Sequence, residues 1–201
     1  MLPDEQVCEE RRQLRILKKA CLWLVIIMTM LFRVTLAFAS DNDPFSGMKT
    51  YEEGGYRVGR DFDAGEYVLL CISSMPAYFS ISTDANGRDI VANDNFATNS
   101  IITVCDGDYL ELSRCMAILA DDFYQEYTIK IENDGTMLKV GYDIMPGDYK
   151  LVVTGNLPGY YCVYDSSRQV DIVANDNFKN GTWVTVKYGQ YLVLSRCHIQ
   201  Q

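Results

Sequence analysis

Few side chains in this sequence are equipped for chemistry, and many of them lie in one copied phrase. Asp-Ile-Val-Ala-Asn-Asp-Asn-Phe occupies residues 89–96 and recurs at 171–178. Asp89, Asp94 and Asn95, with their counterparts Asp171, Asp176 and Asn177, offer the hard oxygen ligands that calcium takes. Their spacing is not that of an EF-hand loop. Calcium is thus the one cofactor with any candidate ligands, and a plain turn is the alternative. Asn and Asp tolerate left-handed backbone and bond their own main chain in turns, with Phe96 and Phe178 anchoring the turn to the core.

Aromatic residues suggest a second chemistry, that of binding. Tyr142, Tyr164, Trp183 and Tyr188 stand where the first copy has Arg60, Ser82, Ile101 and Asp106. Trp183 shares strand parity with Thr185 and Lys187, which places it on a polar face. An exposed Trp near Tyr stacks on a sugar ring or grips a peptide. Packing across strands, or between the two copies, is the alternative use of such residues. Catalytic groups are scarce. His198 is the only histidine, so a Ser-His-Asp or Cys-His arrangement would rest on it alone. No phosphate-cradling glycine loop is present. Paired carboxylates, enough for a glycan hydrolase, exist mainly at turn positions.

Of the seven cysteines, five follow the leading segment: Cys71, Cys105, Cys115, Cys162 and Cys197. The second copy holds only Cys162 and Cys197, so a bridge between them is the simplest pairing there. The first would use Cys71 or Cys105 with Cys115. No Cys-x-x-Cys occurs, which argues against a zinc ribbon or a thioredoxin-like site.

These groups need elements to hold them, and the chain supplies a leader and two copies of one unit. Arg11, Arg12, Arg15, Lys18 and Lys19 precede residues 20–32, which carry no charge. Ala37-Phe38-Ala39 then gives the small-x-small end of a secretory signal. The rival is an uncleaved membrane anchor, since residues 20–39 are long enough to cross a bilayer. Either reading exports the remainder. Residues 1–39 form the leader and 40–54 a spacer. The first unit spans 55–119, a joint 120–126, and the second unit 127–201. From Ser40 onward there are 12 Lys+Arg and 23 Asp+Glu, a net of 12 − 23 = −11, which disfavours nucleic acid as a partner.

The units align without a gap at a spacing of 82, with 25 identities over the 58 positions that pair Val58 through Cys115 with Val140 through Cys197. Runs of about six β-branched and aromatic residues between Gly, Pro, Asn and Asp read as strands. In the first unit they fall near 56–60, 66–72, 78–83, 89–93, 100–105 and 109–115. A hairpin turn is expected at Glu132-Asn133-Asp134-Gly135. No sustained helical period appears after residue 40. The fold class is therefore all-β, as two tandem homologous small antiparallel β-sandwich or barrel units after an N-terminal signal or transmembrane helix.

Three phrases carry a resemblance. Val-Gly-x-Asp-x-x-x-Gly-Asp/Glu-Tyr is followed by Ile-Val-Ala-Asn-Asp-Asn-Phe. Then comes Val-Thr-Val-x-x-Gly-x-Tyr-Leu-x-Leu-Ser-Arg-Cys, with Ile102 opening it in the first unit. Together they resemble an uncharacterised β-domain of secreted or membrane-anchored proteins of Gram-positive bacteria, over residues 55–118 and 136–199. The chain departs from that pattern at Cys105, where the second unit has Lys187. The resemblance implies a β-sandwich at the cell envelope and no catalysis.

The sequence thus points to a non-catalytic, secreted or envelope-anchored binding module. Its partner would be a cell-wall polymer, a glycan or a protein, and the membrane itself if the leader is uncleaved. A structural spacer or assembly protein is the first alternative, and a carboxylate-dependent hydrolase of wall polymers the second.

Overall fold

The computed structural model describes residues 44–131 and 135–200, and residues 47–201 form the compact body. The leader expected over 1–39 lies outside the described residues. Among the described residues no helix is long and apolar enough to cross a membrane.

The body is all-β, with four antiparallel sheets and one short helix among the described residues. Eight strands come first: β1 (Thr50–Tyr51), β2 (Gly54–Arg57), β3 (Gly65–Cys71), β4 (Ala77–Ser82), β5 (Ile90–Phe96), β6 (Asn99–Val104), β7 (Tyr109–Ser113) and β8 (Cys115–Leu119). Helix α1 (Ala120–Glu126) follows. Then come β9 (Thr136–Lys139), β10 (Gly147–Val153), β11 (Gly159–Tyr164), β12 (Ile172–Phe178), β13 (Gly181–Val186), β14 (Tyr191–Ser195) and β15 (Cys197–Ile199). Each strand from β9 to β15 starts 82 residues after its counterpart from β2 to β8. Even the irregularities recur, with a bulge between Ile81 and Ser82 and again between Val163 and Tyr164.

The sheets run in the orders β1-β8-β3-β6 and β2-β7-β4-β5 for the first repeat, and β13-β10-β15 and β12-β11-β14-β9 for the second. Strand alternation sends one face of each sheet inward. In the first repeat Tyr67, Leu69, Phe79, Ile81, Ile102 and Leu110 fill the space between the sheets, with Phe62 stacked on Tyr51 at 3.9 Å. Phe79–Phe96 and Tyr161–Phe178 have ring centroids 6.4 Å apart in both repeats.

Ser-Arg-Cys is a corner. Arg114 and Arg196 have φ of 57° and 55°, a left-handed bend costly for any residue but glycine. The bend passes the chain from β7 in one sheet to β8 in the other, and from β14 to β15. Each guanidinium secures its corner by donating from Nε to a proline carbonyl, Arg114 to Pro76 at 2.7 Å and Arg196 to Pro158 at 2.8 Å.

Several expectations are corrected here. The twin motif does not end in a turn: the strand expected near 89–93 runs on through Phe96 as β5, and its copy forms β12, each at the edge of a four-stranded sheet. Its Asn and Asp side chains serve an edge strand, where polar residues discourage stray pairing. Phe96 and Phe178 do anchor it, each buried. The joint at 120–126 is helical, with Asp121 and Asp122 in the first turn, where acids complement the helix dipole. The spacer contributes β1, which pairs with β8. Of the hairpin turn only Gly135 is described, and residues 127–130 before it form no strand.

Candidate functional site

The aromatic residues do not form one patch. Trp183 lies on β13, opposite Lys150 on β10, and is 67% exposed. Together with Val152, Thr182 and Gln200 these residues line a shallow hollow of about 400 Å³. Beside it Thr185 Oγ1 donates to Asp148 at 2.6 Å. Tyr164 belongs to the other sheet, half-buried on β11 against Tyr191 of β14. Tyr142 and Tyr188 share an end of the second repeat: both are exposed, and the Tyr188 ring lies over Gly141. The Tyr142 ring itself lies against Tyr124, with ring centroids 4.9 Å apart.

The oxygen-ligand sets are dispersed as well. Asp94 and Asn95 are neighbours on a strand, so their side chains point to opposite faces. Asp89 precedes the same strand, five residues and about 16 Å from Asp94. Its N–H donates to Asp84 Oδ2 at 2.7 Å. The same strand logic separates Asp171, Asp176 and Asn177, all exposed. Among the described residues no group of three or more His, Cys, Asp or Glu side chains is placed to hold a metal.

Cys162 and Cys197 do not form the expected bridge. Cys162 lies on β11 of one sheet and Cys197 on β15 of the other. Tyr161 and Val163 face the space between the sheets, so Cys162 between them points to the opposite face of β11, where it is also buried. Cys71 and Cys115 do sit directly opposite each other on β3 and β8, as free thiols. Burial pushes the Cys115 thiol up to about 11.

The densest cluster of charged and polar groups joins the two repeats, and sequence reasoning did not assemble it. Glu66 projects from the outer face of β3 and accepts from Lys139 Nζ, Tyr191 Oη and Ser167 Oγ of the second repeat. Burial by itself would raise the Glu66 pKa. The three donors outweigh it and hold the carboxyl below the usual range. Lys139 Nζ sits 4.6 Å from the Tyr142 ring centre, 5.4 Å from Tyr124 and 6.0 Å from Tyr191, distances at which cation–π attraction acts. Asp143 is raised by burial, although it accepts from Tyr124 Oη and from the N–H groups of Ile129 and Lys139.

Strand β6 lies at the edge of its sheet, and the second repeat satisfies that edge. Thr103 N–H donates to the Ser167 carbonyl at 3.1 Å, Thr98 N–H to the Gly135 carbonyl at 3.0 Å, and Ile101 N–H to Met137 Sδ at 3.3 Å. The Asn99 amide works as a short extra strand, donating to the Met137 carbonyl at 2.7 Å and accepting from Met137 N–H at 3.3 Å. Arg168 forks onto Asp108 and also reaches the Thr103 carbonyl. A cleft of about 470 Å³ remains beside this joint, lined by Asp94, Asn99, Thr136, Tyr160 and Arg196 among others. Burial raises the Asp94 carboxyl. It is the only acid lining that cleft among the described residues.

One signal in the sequence could have marked the joint: positions where the repeats differ in polarity. Val68, Ile101 and Ile118 are wholly buried, whereas Lys150, Trp183 and Gln200 at the matched places are exposed. A face that is apolar in one repeat and polar in the other is covered in the first and open in the second.

Comparison with protein-family models, with curated proteins and with solved structures returns no match.

Proposed function

We propose that the chain is a non-catalytic interaction module of the cell envelope. In this reading two homologous sandwich units follow a signal or anchor at residues 1–39, as in the Gram-positive β-domain that the repeats resemble. The outer face of β10 and β13 does the binding, with Trp183 as its anchor. A wall polymer, a glycan or a protein is the partner.

One observation carries the reading. Trp183 is 67% exposed on an open sheet face where the matched Ile101 is wholly buried. Removing a Trp face from water on contact is worth about 1.5–3 kcal/mol, and such residues dominate interface energetics. Lys150, Thr185 and Asp148 around it supply the polar rim that an interface core carries.

The test is retention of the full chain on isolated envelope material. The Trp183→Ala variant should lose most of its retention while its circular dichroism is unchanged. Equal retention of both forms would remove Trp183 from the binding face. Leader cleavage and export are read separately, by the mass of the mature chain and by protease access to it in intact cells.

A further inference from the structure

The joint between the repeats uses two different surfaces, one from each. The first repeat contributes the outer face and free edge of β3 and β6. The second contributes β9, β14 and the loop 165–169. Because the repeats share one fold, each also carries the surface it does not use inside the chain. The second repeat presents the face and edge of β10 and β13. The first presents β2, β7 and the loop 83–87. We propose that these two unused surfaces bind each other between molecules, so that copies of this chain associate head to tail. This inference rests on the interaction reading above and names its partner: a second copy of the chain.

The receiving loop is already built. In the second repeat, Gln169 N–H donates to the Ser166 carbonyl at 3.1 Å and Arg168 N–H to Ser166 Oγ at 3.2 Å. In the first repeat, Gly87 N–H donates to the Asp84 carbonyl at 3.2 Å and Asn86 N–H to Asp84 Oδ1 at 2.8 Å. The two loops share the left-handed residue as well, Gln169 at φ 59° and Gly87 at φ 64°. Loop 165–169 lies on β6, whereas residues 85–87 are exposed.

The inserting edge is equally ready. Thr185 faces Asp148 and Trp183 faces Lys150 in the same register that sets Thr103 against Glu66 and Ile101 against Val68. Thr103 and Ile101 donate away from their sheet, to Ser167 and Met137. By the same pleat, the N–H groups of Thr185 and Trp183 point off the open edge of β13. The Ala85 carbonyl stands where the Ser167 carbonyl does, so this main-chain bond survives the change of side chain.

The side chains are complementary too. Glu66 meets Lys139 and Tyr191 inside the chain. Asp148, Arg57 and Tyr109 stand at those places on the unused surfaces, with the charge sense preserved. Ile101 packs on Met137, and the replacements are Trp183 and Gly55. A larger knob on one surface matches a deeper hollow on the other. That hollow is a groove of about 700 Å³ lined by Gly54, Gly55, Arg57, Asn86, Gly87 and Tyr109 among others. Other contacts weaken. Asn86 and Gln190 replace the Arg168–Asp108 fork, Gly181 replaces Asn99, and Lys150 and Gln200 replace Val68 and Ile118. The contact between molecules is therefore looser than the internal joint, reversible, and sensitive to salt.

Surfaces that differ on the two sides of a contact do not close as a simple two-fold pair. They build rings or open strings. The test measures the mass of the full chain in detergent by light scattering across a concentration series, with the leader identical in every sample. Wild type should grow past the dimer with concentration. Asp148→Arg and Arg57→Asp should each weaken association by about tenfold or more. Mixed in equal amounts, each surface of one variant meets an opposite charge on the other, so the mixture should again grow past the dimer although neither variant does alone. The double variant Arg57→Asp/Asp148→Arg should regain growth. A wild-type mass equal to that of Asp148→Arg at every concentration would overturn the proposal. So would dimers that ignore both substitutions, or a mixture that fails to grow. Trp183-dependent retention on envelope material by a wild type that stays monomeric would sink self-association and leave the interaction module standing.

Discussion

Glu66 is the residue on which the internal joint turns. Its side chain is 21% exposed and that of Lys139 14%, so neither charge has much water to fall back on. Replacing Glu66 with Gln strands the Lys139 ammonium among tyrosine rings and should cost about 2 kcal/mol at neutral pH, read by urea unfolding. The sign of the pH dependence follows from the depressed carboxyl. A folded pKa below the unfolded one gives stability that is complete above the ordinary carboxylate value of about 4.3 and is lost as pH falls through the folded value. The gap between wild type and Glu66→Gln should therefore close in acid. Asp94 and Asp143, whose carboxyls are raised, run the other way: they oppose folding at neutral pH, and that opposition fades as they protonate. Asp94 is present in both proteins and cancels in the difference, whereas Asp143 sits against Lys139 and responds to the loss of that lysine's partner. A gap that widens in acid would contradict this account of Glu66.

Among the elements, the corner between β7 and β8 is the most exacting. Arg114 holds a left-handed φ while its guanidinium donates to the Pro76 carbonyl. Alanine there loses the anchor and keeps the backbone cost, whereas glycine loses the anchor and relieves that cost. Arg114→Ala should therefore be less stable than Arg114→Gly by about 1 kcal/mol, measured by thermal or denaturant unfolding. The reverse order would show that the corner is not held in the left-handed region. Edge strands tell a related story. β5 and β12 carry the same Asn-Asp-Asn, but Asp94 is half-buried beside the second repeat and Asp176 is exposed. Identical strands acquire different electrostatics from what lies next to them.

At the scale of the whole molecule, the two repeats are coupled by hydrogen bonds from Asn99, Thr103 and Arg168, and by the burial of Val68, Ile101 and Ile118. The body should unfold in a single transition. The double variant Asn99→Ala/Arg168→Ala removes the amide bridge and the fork, and should separate the melt into two steps in calorimetry. One unsplit transition in that variant would show that the coupling resides in the apolar surface alone. The same geometry, carried outward, gives the molecule two unlike ends, which is the basis of the head-to-tail association proposed above.

Strand content and spacing were written in the sequence, because alternation and turn residues act over a few positions and a gapless copy at 82 residues repeats them. The burial of Phe96 and Phe178 and the exposure of Trp183 followed from the same local pattern. Three things were not legible. The copied Asn-Asp-Asn reads as a turn when taken alone and becomes an edge strand because neighbouring strands extend its pairing. Cys162 and Cys197 are close in count but lie in different sheets, which no spacing reveals. The Glu66–Lys139–Tyr191 cluster joins residues 73 and 125 positions apart, and a contact of that kind depends on how finished sheets dock. Side-chain pattern decides each sheet by itself. Which faces meet, and which are left over, is decided only when the sheets pack.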